Sequence, residues 1–191
     1  MNTPSHIAAS LLVWRDEKDW LAVSAVVLGA ALPDLPMFGF YAYQKLWRGA
    51  AEQEIWGKLY FDPVWQLLFD WFNSMPLAVL LIGVCQLAGF RLGVLVSASA
   101  LLHMACDLPV HHDDAHRHFL PFTNWRFASP VSYWDPKHHG IAFAIGELLF
   151  AVAASWYVGW QTTATPMRVA AWGTLAMYVV GIGFALAVWV L

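Results

Sequence analysis

Long, mostly apolar runs are the feature that most restricts what this 191-residue chain can fold into. A helix needs about 20 mostly apolar residues to cross the roughly 30 Å hydrocarbon core of a membrane. Five stretches approach that length: residues 20–43, 63–90, 92–106, 141–160 and 169–191. The sequence therefore predicts an all-α polytopic membrane helix bundle with four to five membrane segments plus a short N-terminal helix.

The composition supports a membrane protein and argues against a nucleic-acid partner. Hydrophobic residues make up 60% of the chain and charged residues only 12%, against roughly 25% charged in an ordinary soluble domain. The net charge of −3 provides no basic surface that would attract a phosphate backbone. We therefore expect one membrane-embedded domain over residues 1–191, with lipid rather than nucleic acid as its partner.

The first 34 residues are predicted to form a helical hairpin. Thr3-Pro4-Ser5 is a helix-start signal, and residues 5–14 give only about 15 Å of helix, too short to span a membrane. The charged run at residues 15–19 is expected to turn in water between this arm and the next. Such a turn brings His6 and Asp34 to the same end of the hairpin.

The histidines are concentrated in one window of the chain. Seven of the eight lie in residues 103–139, mixed with carboxylates, and this window largely coincides with a predicted site loop at about 107–140. Imidazole and carboxylate are ligands of zinc and of manganese or iron. Because the loop contains no cysteine, a closed thiolate site is not expected. We predict one or two divalent metal ions, zinc first, at a site with open positions.

Helix spacing selects the metal ligands. His103 and Asp107 are four residues apart on one helix face, and the alternation of segments brings them to the same membrane face as Asp34. A lone histidine on an apolar helix is more often a core residue, but the nearby carboxylate favours ligation. The predicted ligands are His6, Asp34, His103, Asp107, His112, His116 and His138.

Further residues are assigned to the chemistry. Asp113 or His139 is the candidate general base, and Arg117 or Arg126 is the candidate group for an anionic substrate, since guanidinium binds phosphate oxygens in a bidentate fork.

Three polar residues lie in apolar segments. Asp70, Asn73 and Glu147 are costly in lipid unless they face the bundle interior, so we expect them to support the site.

At these residues the chain resembles the bacterial membrane-bound metal-dependent hydrolases. The resemblance rests on His6 after Thr3, on the turn from Gly29 to Pro33-Asp34, on His103 to Asp107, and on Pro121-Phe122 through Ser129-Pro130. It implies a small inner-membrane protein with hydrolase activity. The initial histidine and the Pro-Asp turn are also similar to zinc-dependent phospholipase C, which implies phosphoester chemistry. Asn73-Ser74 departs from the His-Ser pair of the family.

These observations together favour a membrane metal-dependent hydrolase that acts on a phosphoester or lipid-like substrate. Two alternatives stay open. The run HHDDAHRH at residues 111–118, with Asp70 and Glu147, is also typical of a metal-handling or transport protein. A non-catalytic metal-binding scaffold is the other alternative, and Asn73 favours it. More Lys and Arg residues fall on the site face than on the opposite face, so the positive-inside rule predicts a cytoplasmic site.

Overall fold

The computed structural model describes residues 1–189, with side chains described for residues 1–181, and it contains helices and no strand over that range. Nine α-helices are described: α1 Thr3–Val13, α2 Trp20–Ala31, α3 Leu35–Ala42, α4 Glu52–Gly57, α5 Pro63–Phe72, α6 Met75–Leu87, α7 Arg91–Asp107, α8 Gly140–Gln161 and α9 Thr165–Trp189. Short 3-10 turns lie at Leu32–Asp34, Leu59–Phe61 and Pro136–His138, and a π turn lies at Tyr43–Trp47. The predicted all-α class is confirmed.

Within the described part of the chain, three helical stretches are long and apolar enough to cross a membrane: Trp20–Trp47, Pro63–Leu87 and Gly140–Gln161. Only 28% of the most apolar window is buried in each of the last two. Such extensive exposed apolar surface indicates that these helices face lipid. Helix α7 has 17 residues, about 25 Å of helix, so the full count of four to five membrane segments stays a prediction.

Two of the predicted segments are interrupted. The 3-10 turn at Leu32–Asp34 separates α2 from α3, and Pro33 and Pro36 flank Asp34 there. The expected single segment at 63–90 is two helices, because α5 ends at Phe72 and α6 begins at Met75. Pro76 lies in the first turn of α6, where a proline is tolerated. Inside one continuous helix its ring would clash with the backbone of the preceding turn. These breaks leave polar backbone and side chains available near the candidate site.

The predicted N-terminal hairpin is confirmed. Helix α1 ends at Val13 and α2 begins at Trp20, with the charged residues in the turn between them. Asp19 caps α2, since its carboxylate accepts a hydrogen bond from the Ala22 N–H at 2.9 Å. Helix α1 packs against α2, α8 and α9. The short first arm is therefore an interior helix of the bundle and brings His6 into its core.

Helices α2 and α7 cross in close contact at Gly29. A Cβ at this position would lie 2.2 Å from the Val96 carbonyl oxygen and 2.8 Å from the Ser99 Cβ. The Ser99 Oγ lies 2.7 Å from the Val26 carbonyl oxygen and 2.9 Å from the Ser10 Oγ, which connects α7 to both arms of the hairpin. The close contact of α2 with α7 fixes the position of the α7 C-terminus along the axes of α1 and α2.

The segment between α7 and α8 is irregular and is fastened to the α5–α6 break. The Met75 N–H donates to the His118 carbonyl oxygen at 2.9 Å, and the Ser74 hydroxyl donates to the Leu120 carbonyl oxygen at 2.6 Å. The His118 Nδ1–H donates to the Asn73 carbonyl oxygen at 3.1 Å. Backbone groups that the break leaves unpaired are thus satisfied by the loop, which holds the loop against the bundle.

We expect Gly29→Ala to destabilise the protein by about 1–3 kcal/mol, because the added methyl group forces α2 away from α7. Gly39→Ala in α3 is the matched control, since a Cβ there would meet nothing within 4 Å. The measurement is thermal unfolding of the detergent-solubilised protein. Equal unfolding temperatures for the two variants would contradict the close packing at Gly29.

Candidate metal centre

Three buried side chains from two helices converge where α1 meets the end of α7. The His6 Nε2 lies 3.0 Å from the Asp107 Oδ1, and the His103 Nε2 lies 2.9 Å from the Asp107 Oδ2. One ligand atom from each residue lies within 4.8 Å of the other two. The imidazole rings of His6 and His103 stack at a centroid distance of 3.5 Å. Each residue is at most 2% exposed.

The tautomer of His103 leaves its Nε2 as a lone-pair donor. Its Nδ1 lies 2.6 Å from the Ala30 carbonyl oxygen, which only accepts hydrogen bonds, so the Nδ1 carries the proton in the neutral ring. An N–H bond from the far ring nitrogen to a carbonyl is the usual arrangement of a metal-binding histidine. The break at the end of α2 supplies that carbonyl.

The donor atoms of the cluster fit a divalent metal. The Nε2 atoms of His6 and His103 are buried and have no hydrogen-bond partner among the described residues, although carboxylate oxygens lie about 3 Å away. Two ligands of one zinc ion, each bound at 2.0–2.1 Å, are about 3.3 Å apart in tetrahedral geometry. A nitrogen and a carboxylate oxygen at such a distance are held together by a proton or by a metal ion, and His6, His103 and Asp107 have the chemistry to hold a metal ion.

Asp34 and His111 border this cluster. The Asp34 Oδ1 lies 3.6 Å from the His103 Nε2, and the Asp34 Oδ2 accepts a hydrogen bond from the Thr3 hydroxyl at 2.5 Å. The His111 Nε2 lies 3.4 Å from the Asp107 Oδ1. The α-amino group of Met1 lies 2.5 Å from the same oxygen. Asp107 therefore faces positive or protonatable groups from three segments of the chain.

Sequence reasoning missed the pair of His111 and Asp114. The His111 Nδ1 lies 2.9 Å from the Asp114 Oδ2, and both side chains are buried. The tilted ring of Tyr133 packs against His111 at a centroid distance of 4.9 Å. The spacing of Asp107 and His111, four residues apart, was the available signal. It was weak because helix α7 ends between them.

A second buried polar cluster surrounds Asp70. Its Oδ2 accepts hydrogen bonds from the Arg117 Nε at 2.5 Å and from the Arg126 Nη2 at 3.0 Å, while its Oδ1 accepts from the Arg117 backbone N–H at 2.9 Å. The His116 Nδ1 lies 3.7 Å from the Asp70 Oδ1. The two arginines, predicted to bind an anionic substrate, are thus engaged by a buried carboxylate of the chain. Asp70 faces the bundle interior, as expected.

His112 and His138 form a separate pair closer to the surface. Their rings stack at 3.7 Å, the His112 Nδ1–H donates to the Ser129 carbonyl oxygen, and the His138 Nδ1–H donates to the Asp135 carboxylate. Neither ring belongs to the cluster of His6, His103 and Asp107. The candidate bases Asp113 and His139 are exposed. Of the predicted site residues, the structure brings together His6, Asp34, His103 and Asp107.

The remaining polar residues of the apolar segments have structural partners. The Glu147 carboxylate accepts hydrogen bonds from the Asn2 backbone N–H at 2.5 Å and from its side-chain amide at 3.0 Å. Glu147 therefore fastens the N-terminus to α8. The Asn73 amide donates to the Phe69 carbonyl oxygen at 3.1 Å.

Burial and the nearby His116 lower the pKa of His118 to about 4, so this loop ring is neutral at physiological pH.

A cavity of about 740 Å³ opens beside the cluster. Asp34, His111 and His116 line its polar part. Its apolar part is lined by one face of α9, with residues Gly173, Ala176, Met177, Val180 and Gly181. A volume of this size falls in the range of small-molecule sites. Asp34 and His111, which border the cluster, therefore face a groove that is apolar on one side.

Comparison of the chain with protein-family models, with curated proteins and with solved structures finds no match.

We expect His6→Ala, His103→Ala and Asp107→Ala each to lose most of the bound metal, because each removes one of three converging ligands. His138→Ala is the matched control and should keep its metal, since it removes an imidazole outside the cluster. The measurement is elemental analysis of protein prepared without a histidine tag and supplied with zinc and manganese. Equal loss in all four variants would instead indicate a loop that collects metal without a defined site.

Proposed function

We propose that this protein is a membrane-embedded, metal-dependent hydrolase that acts on a lipid-like phosphoester. The observation that carries the proposal is the position of the His6–His103–Asp107 cluster, which is buried in the bundle and adjoins a cavity with an apolar wall. Zinc is the metal we favour, because two imidazoles and one carboxylate are a ligand set of catalytic zinc sites. Such a set leaves a position for water or substrate.

A bound divalent metal would polarise the scissile group and acidify a coordinated water. His6, His103 and Asp107 would hold the metal, and the hydrogen bond from His103 to Ala30 keeps the ring in the ligating tautomer. Thr3 orients Asp34 at the edge of the same site. The surrounding helices exclude bulk water from the cluster, which strengthens its electrostatic interactions.

Asp34 is the group best placed to accept a proton from an attacking water. It lines the cavity, and its Oδ1 lies 3.6 Å from the His103 Nε2. The general bases predicted from sequence, Asp113 and His139, do not line the cavity in the described part of the chain. We therefore assign the proton transfer to Asp34 in this proposal.

The apolar wall supports a lipid-like substrate. The α9 residues that line the cavity are small or flexible, and they leave room for an apolar chain beside the cluster. A substrate held in the membrane would place its apolar chain along this wall. The described lining residues include no Lys or Arg, so the charge of a phosphoester would be met by the metal and by His111, whose contacts with Asp107 and Asp114 favour its protonated form.

The polar contacts favour hydrolysis over metal transport. A transport path would use Asp70 and Glu147, but two arginines hold Asp70 and Asn2 holds Glu147. A carboxylate that already has a cation or a hydrogen-bond donor as its partner is a poor binding site for a metal ion in transit.

We expect the zinc-loaded or manganese-loaded protein in lipid nanodiscs to hydrolyse a phosphoester lipid from a membrane-lipid extract. The measurement is ³¹P NMR of the products. His103→Ala should lower the rate by more than about 100-fold, because a metal ligand matters more than an outer partner. His138→Ala should stay within about twofold of the parent, since it does not line the cavity. Full metal occupancy without hydrolysis of any lipid would favour the non-catalytic scaffold.

A further inference from the structure

A second cavity of about 640 Å³ adjoins the first and has a different lining. The two cavities share Asn2, Met37, Phe38, Tyr60 and Tyr133. Seven aromatic side chains line the second cavity: Phe38, Tyr41, Trp56, Tyr60, Phe61, Tyr133 and Trp134. The charged residues among its described lining are two carboxylates, Glu52 and Asp114, and no Lys or Arg. Aromatic faces with acidic groups are the chemistry that binds ammonium cations.

Each carboxylate also accepts a hydrogen bond from the indole N–H of a tryptophan that lines the cavity. The Trp134 Nε1–H donates to the Asp114 Oδ2 at 3.2 Å, and the Trp56 Nε1–H donates to the Glu52 Oε2 at 3.1 Å. An indole that donates to a carboxylate gains electron density on its face. The face of a tryptophan ring is the strongest cation-binding surface among the aromatic side chains, so these hydrogen bonds favour a cation between the rings.

Asp114 provides an independent sign of a missing partner. Its side chain is only 6% exposed, and its Oδ1 has no hydrogen-bond partner among the described residues. Glu52 differs, since the Lys45 Nζ lies 2.8 Å from its Oε1. A buried carboxylate oxygen without a partner is unfavourable unless a ligand or an ion meets it. A cation in the aromatic cavity would supply that partner.

We propose that this cavity binds the ammonium group of the substrate, so that the substrate is a zwitterionic phosphoester lipid. The proposal rests on the proposed hydrolase function for the identity of the other half of the ligand. One imidazole connects the two regions, because the His111 Nδ1 contacts Asp114 and its Nε2 contacts Asp107. The phosphoester would lie at the metal cluster, the ammonium group among the aromatic rings, and the apolar chain along α9.

The test measures binding without metal and without turnover. The full-length protein is stripped of metal and placed in nanodiscs of phosphatidylglycerol, which carries no ammonium group. Choline and its uncharged isostere 3,3-dimethylbutan-1-ol are then titrated by calorimetry. We expect choline to bind about tenfold more tightly than the isostere, because the two have the same shape and differ only in charge.

Two variants test the lining residues. Trp134→Leu and Asp114→Asn should each weaken choline binding by about fivefold or more. Trp134 is 52% exposed, so its replacement leaves the fold intact even if the buried Asp114 does not tolerate substitution. Trp160→Leu is the matched control, since Trp160 is an exposed tryptophan of α8 outside both cavities, and it should bind choline as the parent does.

A final arm distinguishes a lipid head group from a free ammonium compound. Replacing half of the nanodisc lipid by phosphatidylcholine should raise the apparent Kd for choline, because the lipid occupies the same cavity. Choline affinity that does not respond to phosphatidylcholine would overturn the assignment to a lipid. Equal affinity for choline and its isostere would overturn the cation site itself. Neither result depends on hydrolysis, so failure of the proposed activity is recognised separately.

Discussion

The burial of the Asp107 carboxylate is the constraint on which the rest of the structure depends. A carboxylate in a largely apolar bundle is stable only when cations or hydrogen-bond donors surround it. Here His6, His103 and His111 converge on it from α1, from its own helix and from the following loop. The short N-terminal helix and the close contact at Gly29 serve this convergence. A divalent metal would take one ligand atom from each of His6, His103 and Asp107.

The helix breaks have a common consequence for the site. The break after α2 exposes the Ala30 carbonyl oxygen that orients His103, and the break between α5 and α6 binds the histidine-rich loop through Asn73, Ser74 and Met75. Asp70 fixes the same loop by its contacts with Arg117 and Arg126. The loop can therefore carry polar side chains at the end of an apolar bundle and still keep a defined conformation.

The sequence predicted the parts of this arrangement that follow from spacing. Asp34 and His103 lie at helix ends whose order along the chain brings them together, and the charged turn at residues 15–19 returns His6 to the same end. The loop could not be predicted, since irregular backbone has no periodicity. The pairing of Asp70 with two arginines and the separation of His112 from His103 depend on contacts between distant segments. Asp114 was missed because nothing local distinguishes it from Asp113.

Zinc K-edge X-ray absorption of the zinc-loaded protein tests the central claim most directly. The account predicts nitrogen and oxygen ligands at about 2.0–2.1 Å, with the outer-shell scattering of two imidazoles and no sulfur ligand at about 2.3 Å. It also predicts that His6→Ala protein, loaded with zinc to the extent that it still binds the metal, shows one imidazole fewer, while His138→Ala gives the parent spectrum. A spectrum unchanged in His6→Ala and in His103→Ala, but altered in His138→Ala, would contradict the account, because the metal would then lie in the outer loop.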